Sequence, residues 1–252
     1  HTLYRVSDPK AVEAVTQLLA ERRVYMADGH HRYETMCTYR DQLEAEGVGE
    51  AARYGMIYLS NLDDPGLLVL STHRLIHDVK GLDVARTVEG LHPFFEVATE
   101  KLPDSPEAIL ERMKQAGSER AAFGLTVPGS GELTILTLRA DFSPEAAGLG
   151  DLPEALQRLD VALLHELVLD RGFGITREAQ AAKTNIHYYK STSKALAVAQ
   201  GKDVGDTQLV CWMNATPVAD VVAVCDSGEV MPQKSTFFFP KIPTGLTFRA
   251  ID

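Results

Sequence analysis

The chain has 252 residues, of which 45% are hydrophobic and 24% are charged. This is the composition of a folded globular protein, and it excludes a chain that is disordered throughout. Lysine and arginine number 25 against 35 aspartates and glutamates, so the net charge is −10. A dedicated nucleic-acid-binding protein would carry a basic surface, so this class is not expected. A small anionic ligand stays compatible, because an acidic protein can hold a local cluster of cations.

No apolar run reaches the ~18 residues that span a membrane. The first residues are not expected to form a signal peptide, because no apolar stretch follows a basic start. The cysteines are Cys37, Cys211 and Cys225. Because they are odd in number and far apart, neither a disulfide framework nor a zinc knuckle is expected, and a reducing cytoplasm is the predicted location. The chain begins with His1 rather than Met, so we expect a fragment or a processed chain.

The first 47 residues predict the order helix, strand, glycine turn, helix. The first helix begins at the capping Asp8 before Pro9 and runs to about Arg22. Apolar residues 24–27 predict a buried strand, which Asp28 and Gly29 end. The second helix is expected from His30 to about Gly47.

The rest of the chain alternates between predicted strands and helices. Residues 54–59 and 67–70 are expected to pair as a hairpin across the turn at 63–66. The mixture indicates an α+β fold, a mixed sheet with flanking helices. The other predicted elements are helices at 83–90, 105–115, 152–169 and 193–200, strands at 94–99, 121–127, 133–138, 187–189, 208–213 and 237–239, and a helix or strand at 217–224.

Residues 27–34, Ala-Asp-Gly-His-His-Arg-Tyr-Glu, crowd titratable side chains where the predicted strand meets the second helix. The first amides of a helix lack internal partners and carry partial positive charge, so this position favours an anion. Gly29 would let the ligand approach the backbone, and His30, His31 and Arg32 would add donors. The sequence therefore predicts a site for phosphate or polyphosphate.

Asp28 has several chemical interpretations. Its carboxylate could orient or deprotonate an attacking hydroxyl, or hold Mg²⁺. The competing interpretation is that these side chains only cap the helix. A transition-metal site at His31 and Glu34 is not favoured, because no His-Glu-x-x-His motif is present. His73 and His77 are not favoured either, since their spacing does not converge in a strand.

Two other segments offer phosphate-binding side chains. His73 and Arg74 follow an apolar strand, where they would either converge on the same ligand or form a solvated strand end. Lys234, Ser235 and Thr236 offer a cation and two hydroxyls, although no Gly-x-x-x-x-Gly-Lys loop precedes them. The alternative for Lys234 is an ordinary surface lysine.

The titratable residues between these segments have structural interpretations. Asp160 and His165 lie on different faces of the helix predicted at 152–169. We interpret His165 as a satisfied core or interface histidine. His187 and Tyr188 are interpreted as ordinary strand residues.

At several of these motifs the chain resembles the bacterial and archaeal family catalogued as domain of unknown function 1015. The motifs spread over nearly the whole chain, and the resemblance implies a longer N-terminus. They are Val-Tyr-Met-Ala-Asp-Gly-His-His-Arg-Tyr-Glu at 24–34, Asn-Leu-Asp-Asp-Pro-Gly-Leu at 61–67, Thr-His-Arg at 72–74, and Met-Pro-Gln-Lys-Ser-Thr-Phe-Phe-Phe-Pro-Lys at 231–241.

The run from Gly29 to Glu34 is also similar to the phosphate-binding box of the ParB/sulfiredoxin superfamily. That similarity implies a strand–turn–helix site that grips nucleotide phosphates. Some members of the superfamily are kinases of free serine, so it also implies phosphoryl transfer. His30 stands where sulfiredoxins carry a cysteine, so sulfiredoxin chemistry is not expected. No basic helical domain of the kind that ParB proteins use for DNA is evident.

The leading hypothesis is a phosphotransferase that moves a phosphoryl group from ATP, ADP or pyrophosphate, with Mg²⁺, to a small hydroxyl acceptor, free L-serine. Asp28 and His31 are the candidate catalytic residues, and Asp28 the candidate magnesium ligand. The alternatives are a non-catalytic nucleotide- or polyphosphate-sensing module and a phosphoester hydrolase. The predicted phosphate-binding residues are Gly29, His30, His31, Arg32, His73, Arg74, Lys234, Ser235 and Thr236.

We expect the chain to divide into three parts. Residues 1–80 would form the phosphate-binding part of the core, 81–142 an inserted or second α+β module, and 143–252 the segment that completes the core. The expected partners are a small-molecule substrate and a second copy in a homodimer. Neither nucleic acid nor a membrane is expected.

Overall fold

A computed structural model describes residues 2–47, 50–243 and 245–249. The chain divides into two compact units: unit 1 comprises His1–Ile57 and Thr247–Asp252, and unit 2 comprises Tyr58–Leu246. Among the described residues, none of the helices combines the length and the apolar character that crossing a membrane requires.

Unit 1 contains the two helices that the N-terminal sequence predicts. Helix α1 (Pro9–Ala20) begins where Asp8 accepts a 3.1 Å hydrogen bond from the amide of Lys10. Helix α2 (His30–Ala45) follows Gly29, and a short 3₁₀ helix spans Glu50–Arg53. Neither α1 nor α2 buries a side chain fully.

The strands predicted at 24–27 and 54–59 are wrong, because neither segment forms a strand. A strand needs a neighbour to complete its hydrogen bonds, and all described strands lie between residues 68 and 239. The hairpin expected between 54–59 and 67–70 is therefore wrong too. Strand β1 (Leu68–Val69) pairs instead with β8 (Phe238–Phe239), near the other end of unit 2. The turn predicted at 63–66 does form, and the Asp64 side chain accepts a hydrogen bond from the Gly66 amide.

Unit 2 is built on a six-stranded sheet. The α+β prediction is confirmed, but the described sheet is antiparallel rather than mixed. The strands Ala122–Thr126 and Glu132–Leu138 are joined by a short connection, which requires them to be antiparallel, because a parallel pair would need a long crossover. In sheet order the strands are β3 (Phe95–Lys101), β5 (Glu132–Leu138), β4 (Ala122–Thr126), β7 (Thr207–Met213), β2 (His73–His77) and β6 (Ile186–Tyr189).

Helices flank this sheet, and each face of the sheet has its own apolar cluster. Ile76, Leu136 and Leu167 belong to one cluster. Leu75 and Trp212 belong to the other, as expected from the alternation of side chains along a strand. The helices are α3 (Val84–Leu91), α4 (Pro106–Ala116), α5 (Glu154–Gln157), α6 (Asp160–Leu163), α7 (Arg177–Ala182), α8 (Thr192–Ala199) and α9 (Val218–Asp226).

The continuous helix predicted at 152–169 is wrong. Two four-residue helices, α5 and α6, are separated by extended backbone at Leu159, and a π-helix follows over Leu164–Gly172. The apolar periodicity is real, since Leu163, Leu164 and Leu167 are fully buried. Periodicity predicts which face is buried, but it does not distinguish one helix from several successive turns of different pitch.

Candidate phosphate site

In unit 1, Gly29 sets the start of α2. Its φ of 88° lies in the left-handed region, which glycine adopts without strain. Its carbonyl accepts the first helical hydrogen bond, 2.9 Å from the amide of Tyr33. No side chain caps this helix end, so the first-turn amides remain available to an anion.

The charged side chains around Gly29 are exposed. The Arg32 guanidinium lies over the glycine, where a Cβ atom would come within 3.0 Å of Nη2. The same Nη2 lies 4.0 Å from Oδ1 of Asp28, which also accepts the Gly29 amide at 2.8 Å. His31 is 97% exposed, and its Nδ1 lies 3.2 Å from the Glu34 carboxylate. Asp28 thus offsets part of the positive charge that the sequence predicted here.

In unit 2, Arg74 lies in the middle of the sheet. It is 1% exposed on β2, between Cys211 of β7 and Tyr188 of β6. Nη1 donates to the carbonyl of Thr72, and Nη2 donates to the carbonyl of Lys234 at 3.1 Å. The guanidinium also lies 5.6 Å from the centre of the Tyr188 ring.

Among the described residues, no carboxylate balances the charge of Arg74. Within residues 2–47, 50–243 and 245–249, no carboxylate forms an ion pair with it, and its buried Nε has no hydrogen-bond partner. Burial lowers its pKa to about 10, so it remains a cation at neutral pH. A buried cation without a counter-ion is costly, and a bound anion would supply both the charge and the missing acceptor.

Two histidines lie close enough for Arg74 to influence their titration. Burial, and then the charge of Arg74, lowers the pKa of His73 to about 4 and that of His165 to about 3. Both rings are therefore neutral at pH 7. Among the described residues, the buried Nε2 of His165 has no hydrogen-bond partner, so its interpretation as a satisfied histidine is wrong at this atom. It lies on the π-helix, a conformation frequent at functional sites.

His73 and Arg74 are neighbours in sequence, but they face different sides of the sheet. The His73 ring packs edge-on against Trp212, with centroids 5.0 Å apart. Its Nδ1 accepts the amide of Met213, and its Nε2 lies 3.1 Å from the hydroxyl of Thr192. His73 thus has partners on both ring nitrogens, whereas Arg74 retains an unused donor.

The segment 232–237 lies against Arg74 through its backbone. Lys234 is exposed and has a φ of 59°, in the left-handed region. The hydroxyl of Ser235 donates to the carbonyl of Pro232, and the carbonyl of Ser235 accepts from Thr216 at 2.9 Å. The structure therefore brings the Lys234 backbone to Arg74, while the Ser235 hydroxyl is already engaged.

A second cation cluster lies beside this segment. The Phe237 ring has the ammonium of Lys190 at 4.1 Å and that of Lys241 at 4.8 Å from its centre. Neither lysine belongs to the predicted site. Composition carries no signal for this pair of contacts, because Lys190 lies 47 residues before Phe237 in the chain.

A group of potential metal ligands was also not predicted. One ligand atom each of His77, His187 and Asp206 lies within 4.8 Å of the others. His187 had been assigned to an ordinary strand, which is correct for the backbone. The three residues are 110 and 19 positions apart in sequence, so only strand register could reveal the group.

Comparison with known proteins gives a family but no assigned activity. The family model described as protein of unknown function (DUF1015) matches residues 1–162. None of the curated proteins matches the chain. A solved structure, a conserved hypothetical protein from Pyrococcus furiosus, is 19% identical, and the alignment covers 86% of this chain and 71% of that one with a TM-score of 0.43.

Proposed function

The chain belongs to the DUF1015 family of proteins of unknown function, and within it we propose a phosphotransferase. The reaction moves a phosphoryl group from ATP, ADP or pyrophosphate to a small hydroxyl acceptor, free L-serine. The proposal places the reaction in the cytoplasm, where the three free cysteines stay reduced. It expects a homodimer, which light scattering after size exclusion would test.

One observation carries the proposal: the buried guanidinium of Arg74 has no ion-pair partner among the described residues and keeps an unused Nε donor. Arginine binds phosphate through charge-assisted hydrogen bonds. Phosphoryl transfer needs mainly positioning and neutralisation of charge. A guanidinium held in place by two backbone carbonyls contributes to both.

Unit 1 is proposed to supply its own phosphate contact, a box of the ParB/sulfiredoxin type. The uncapped amides after Gly29 support this, together with the Arg32 guanidinium beside them. His30 and His31 are exposed and would add donors.

Asp28 is the proposed general base of unit 1. Its carboxylate already accepts the Gly29 amide, so it is oriented at the start of α2. As a magnesium ligand it offers a single carboxylate, which fits Mg²⁺ only together with phosphate oxygens of the donor. The ion would then enter with the nucleotide or pyrophosphate and supply further charge neutralisation.

A non-catalytic nucleotide-sensing module is the second candidate, and one feature of Arg74 favours it. No described carboxylate pairs with this guanidinium, so a carboxylate general base is not in ion-pair contact with the proposed anion site of unit 2. A sensor would bind the same phosphates without turnover.

The deciding experiment is a phosphotransfer assay followed by ³¹P NMR. The full chain is incubated with L-serine, Mg²⁺ and, in turn, ATP, ADP or pyrophosphate. We expect a phosphoserine resonance with one donor, and a weaker one for Lys234→Gln than for Lys202→Gln, an exposed control. Binding of a phosphate compound without any new resonance would establish the nucleotide-sensing module. Free phosphate without phosphoserine would establish the hydrolase. Either of these two outcomes would rule out the kinase.

A further inference from the structure

We propose that unit 2 contains a site for a divalent transition metal of the Zn²⁺ class, formed by His77, His187 and Asp206. The three residues come from three neighbouring parts of the sheet. His77 ends β2, His187 lies on the adjacent edge strand β6, and Asp206 immediately precedes β7. Strand pairing therefore brings two imidazoles and a carboxylate to one point.

Both distances from Asp206 are close to those between ligands of a tetrahedral ion. Oδ2 of Asp206 lies 3.6 Å from Nδ1 of His77 and 3.5 Å from Nε2 of His187. Zinc bonds of about 2.0–2.1 Å at tetrahedral angles place neighbouring ligand atoms roughly 3.3–3.4 Å apart. Closing the site thus requires movements of a few tenths of an ångström between these pairs.

The backbone around His77 is held in place. Asn185 donates from its side-chain amide to the carbonyls of His77 and Asp78, both at 3.2 Å. Two residues further along, the Gln208 side chain accepts the Val79 amide at 2.8 Å and donates to its carbonyl at 3.1 Å. His77 is buried, so this ligand would be presented by a rigid corner of the sheet.

Asp78 adds a second carboxylate to the group. Its φ of 53° is in the left-handed region, which is uncommon for a residue with a side chain. This conformation puts Oδ2 only 2.8 Å from Nδ1 of His77. Without metal, this contact orients the imidazole; with Nδ1 bound to a metal, the nitrogen has no proton left for Asp78, and the carboxylate would become the fourth ligand. Such conformations persist where the surrounding structure imposes them, and they cluster at functional sites.

The His187 ring is the part that must rearrange. The two imidazoles are stacked, with centroids 4.0 Å apart and planes 15° apart, whereas lone pairs that share one metal must converge. The His187 side chain is 48% exposed on an edge strand. It can turn about its Cβ–Cγ bond without disturbing the core, while His77 stays fixed.

Donor chemistry selects the ion. Imidazole nitrogen with carboxylate oxygen suits Zn²⁺ and related transition metals, whereas Mg²⁺ requires an octahedral shell of oxygen. The carboxylates of Asp78 and Asp206 together carry two negative charges, which one divalent cation balances. The proposal does not rest on phosphoryl transfer, because it uses none of the residues of the proposed phosphate sites.

The test is titration calorimetry of ZnCl₂ into the untagged, metal-free full chain, without any phosphate compound. We expect wild type to bind Zn²⁺ at least about tenfold more tightly than His187→Ala and Asp206→Asn, with no competition from excess Mg²⁺. His92→Ala, an exposed histidine of unit 2, and His31→Ala, beside Glu34 in unit 1, are the matched controls and should bind like wild type.

Cobalt gives a readout that does not depend on variants. Co²⁺ bound to wild type should show the intense visible absorption of a tetrahedral site, and Zn²⁺ should displace it. Equal Zn²⁺ affinity in wild type and either ligand variant would overturn the proposal. So would loss of binding only in His31→Ala, or a Co²⁺ spectrum that stays that of the hydrated ion. Melting curves without metal identify any variant that fails to fold.

Discussion

Nη2 of Arg74 donates a 3.1 Å hydrogen bond to the carbonyl oxygen of Lys234, a residue 160 positions further along the chain. The contact joins the second strand of the chain to its C-terminal segment. It holds a buried cation while using none of the carboxylates of the described residues. Two of the segments that the sequence singled out for phosphate therefore meet, although through a backbone carbonyl rather than through the Lys234 ammonium.

Gly29→Ala should weaken the start of α2. A side chain at φ 88° is strained by about 1–2 kcal/mol, and the new Cβ would also press on the Arg32 guanidinium. Gly47→Ala is the matched control, since Gly47 has a φ of 73° but nothing within 4 Å of its Cβ position. Urea unfolding should show a larger loss for Gly29→Ala. Equal losses would mean that the Arg32 contact contributes nothing.

Asp160→Asn should change how stability depends on pH. Burial, and then the charge of Asp220, raises the pKa of Asp160 to about 6, above its value of about 3.9 in an unfolded chain. Between about pH 4 and pH 6 the folded state keeps a proton on Asp160 that the unfolded state has lost. The contribution of protonated Asp160 to the free energy of unfolding is therefore full below pH 4 and disappears as pH rises through 6. Relative to wild type, the free energy of unfolding of the variant should rise by about 2–3 kcal/mol between pH 4 and pH 7. If wild type and Asp160→Asn differed in free energy of unfolding by the same amount at pH 4 and at pH 7, the raised pKa of Asp160 would be refuted.

His165→Gln should have the opposite pH dependence. Burial, and then Arg74, lowers the pKa of His165 to about 3, below the unfolded value of about 6.5. Its stabilisation is therefore full above pH 6.5 and is lost as pH falls toward 3. Between pH 7 and pH 5, wild type should lose about 2 kcal/mol more than the variant. His92→Gln, on an exposed loop position, should follow wild type, and identical pH profiles for all three proteins would contradict this prediction.

Two glycines of unit 2 should respond to alanine in opposite directions. A Cβ at Gly124 would lie 2.9 Å from side-chain atoms of both Leu133 and Met113, and such overpacking costs about 1–3 kcal/mol. A Cβ at Gly90 meets nothing within 4 Å inside helix α3, so alanine should stabilise the helix by about 1 kcal/mol. Differential scanning calorimetry would show the melting temperature fall for Gly124→Ala and rise for Gly90→Ala. A rise for both would show that the core at Gly124 is loosely packed.

The sequence predicted helix ends well because their signals are local. Asp8 before Pro9 and Gly29 before His30 mark starts that the structure places at the same residues. The strands between 94 and 138 were also predicted, since each has an apolar run and a turn beside it.

Pairings over long distances could not be predicted in this way. The apolar run at 67–70 resembles one half of a hairpin, yet β1 pairs with β8 at the other end of unit 2. The stretch 24–27 has strand composition, but no strand in the described part of the chain pairs with it. Register decides these cases, and register depends on the whole sheet rather than on the segment.

The electrostatic features of the sites were likewise hidden. Arginine is almost always exposed or paired, so nothing in the sequence predicts that Arg74 is 1% exposed with no carboxylate partner among the described residues. The orphaned Nε2 of His165 depends on the π-helix, which apolar periodicity does not distinguish from an α-helix.

Titration calorimetry with pyrophosphate measures whether Arg74 binds a phosphate group. Wild type and Arg139→Gln, in which a partly exposed guanidinium paired with Asp141 is removed, should bind alike. Arg74→Gln should bind about tenfold more weakly or worse, because one charge-assisted contact contributes about 1.5–3 kcal/mol. Arg74→Lys, which keeps the charge, should fall between them. Equal affinity in wild type and a folded Arg74→Gln would contradict the account.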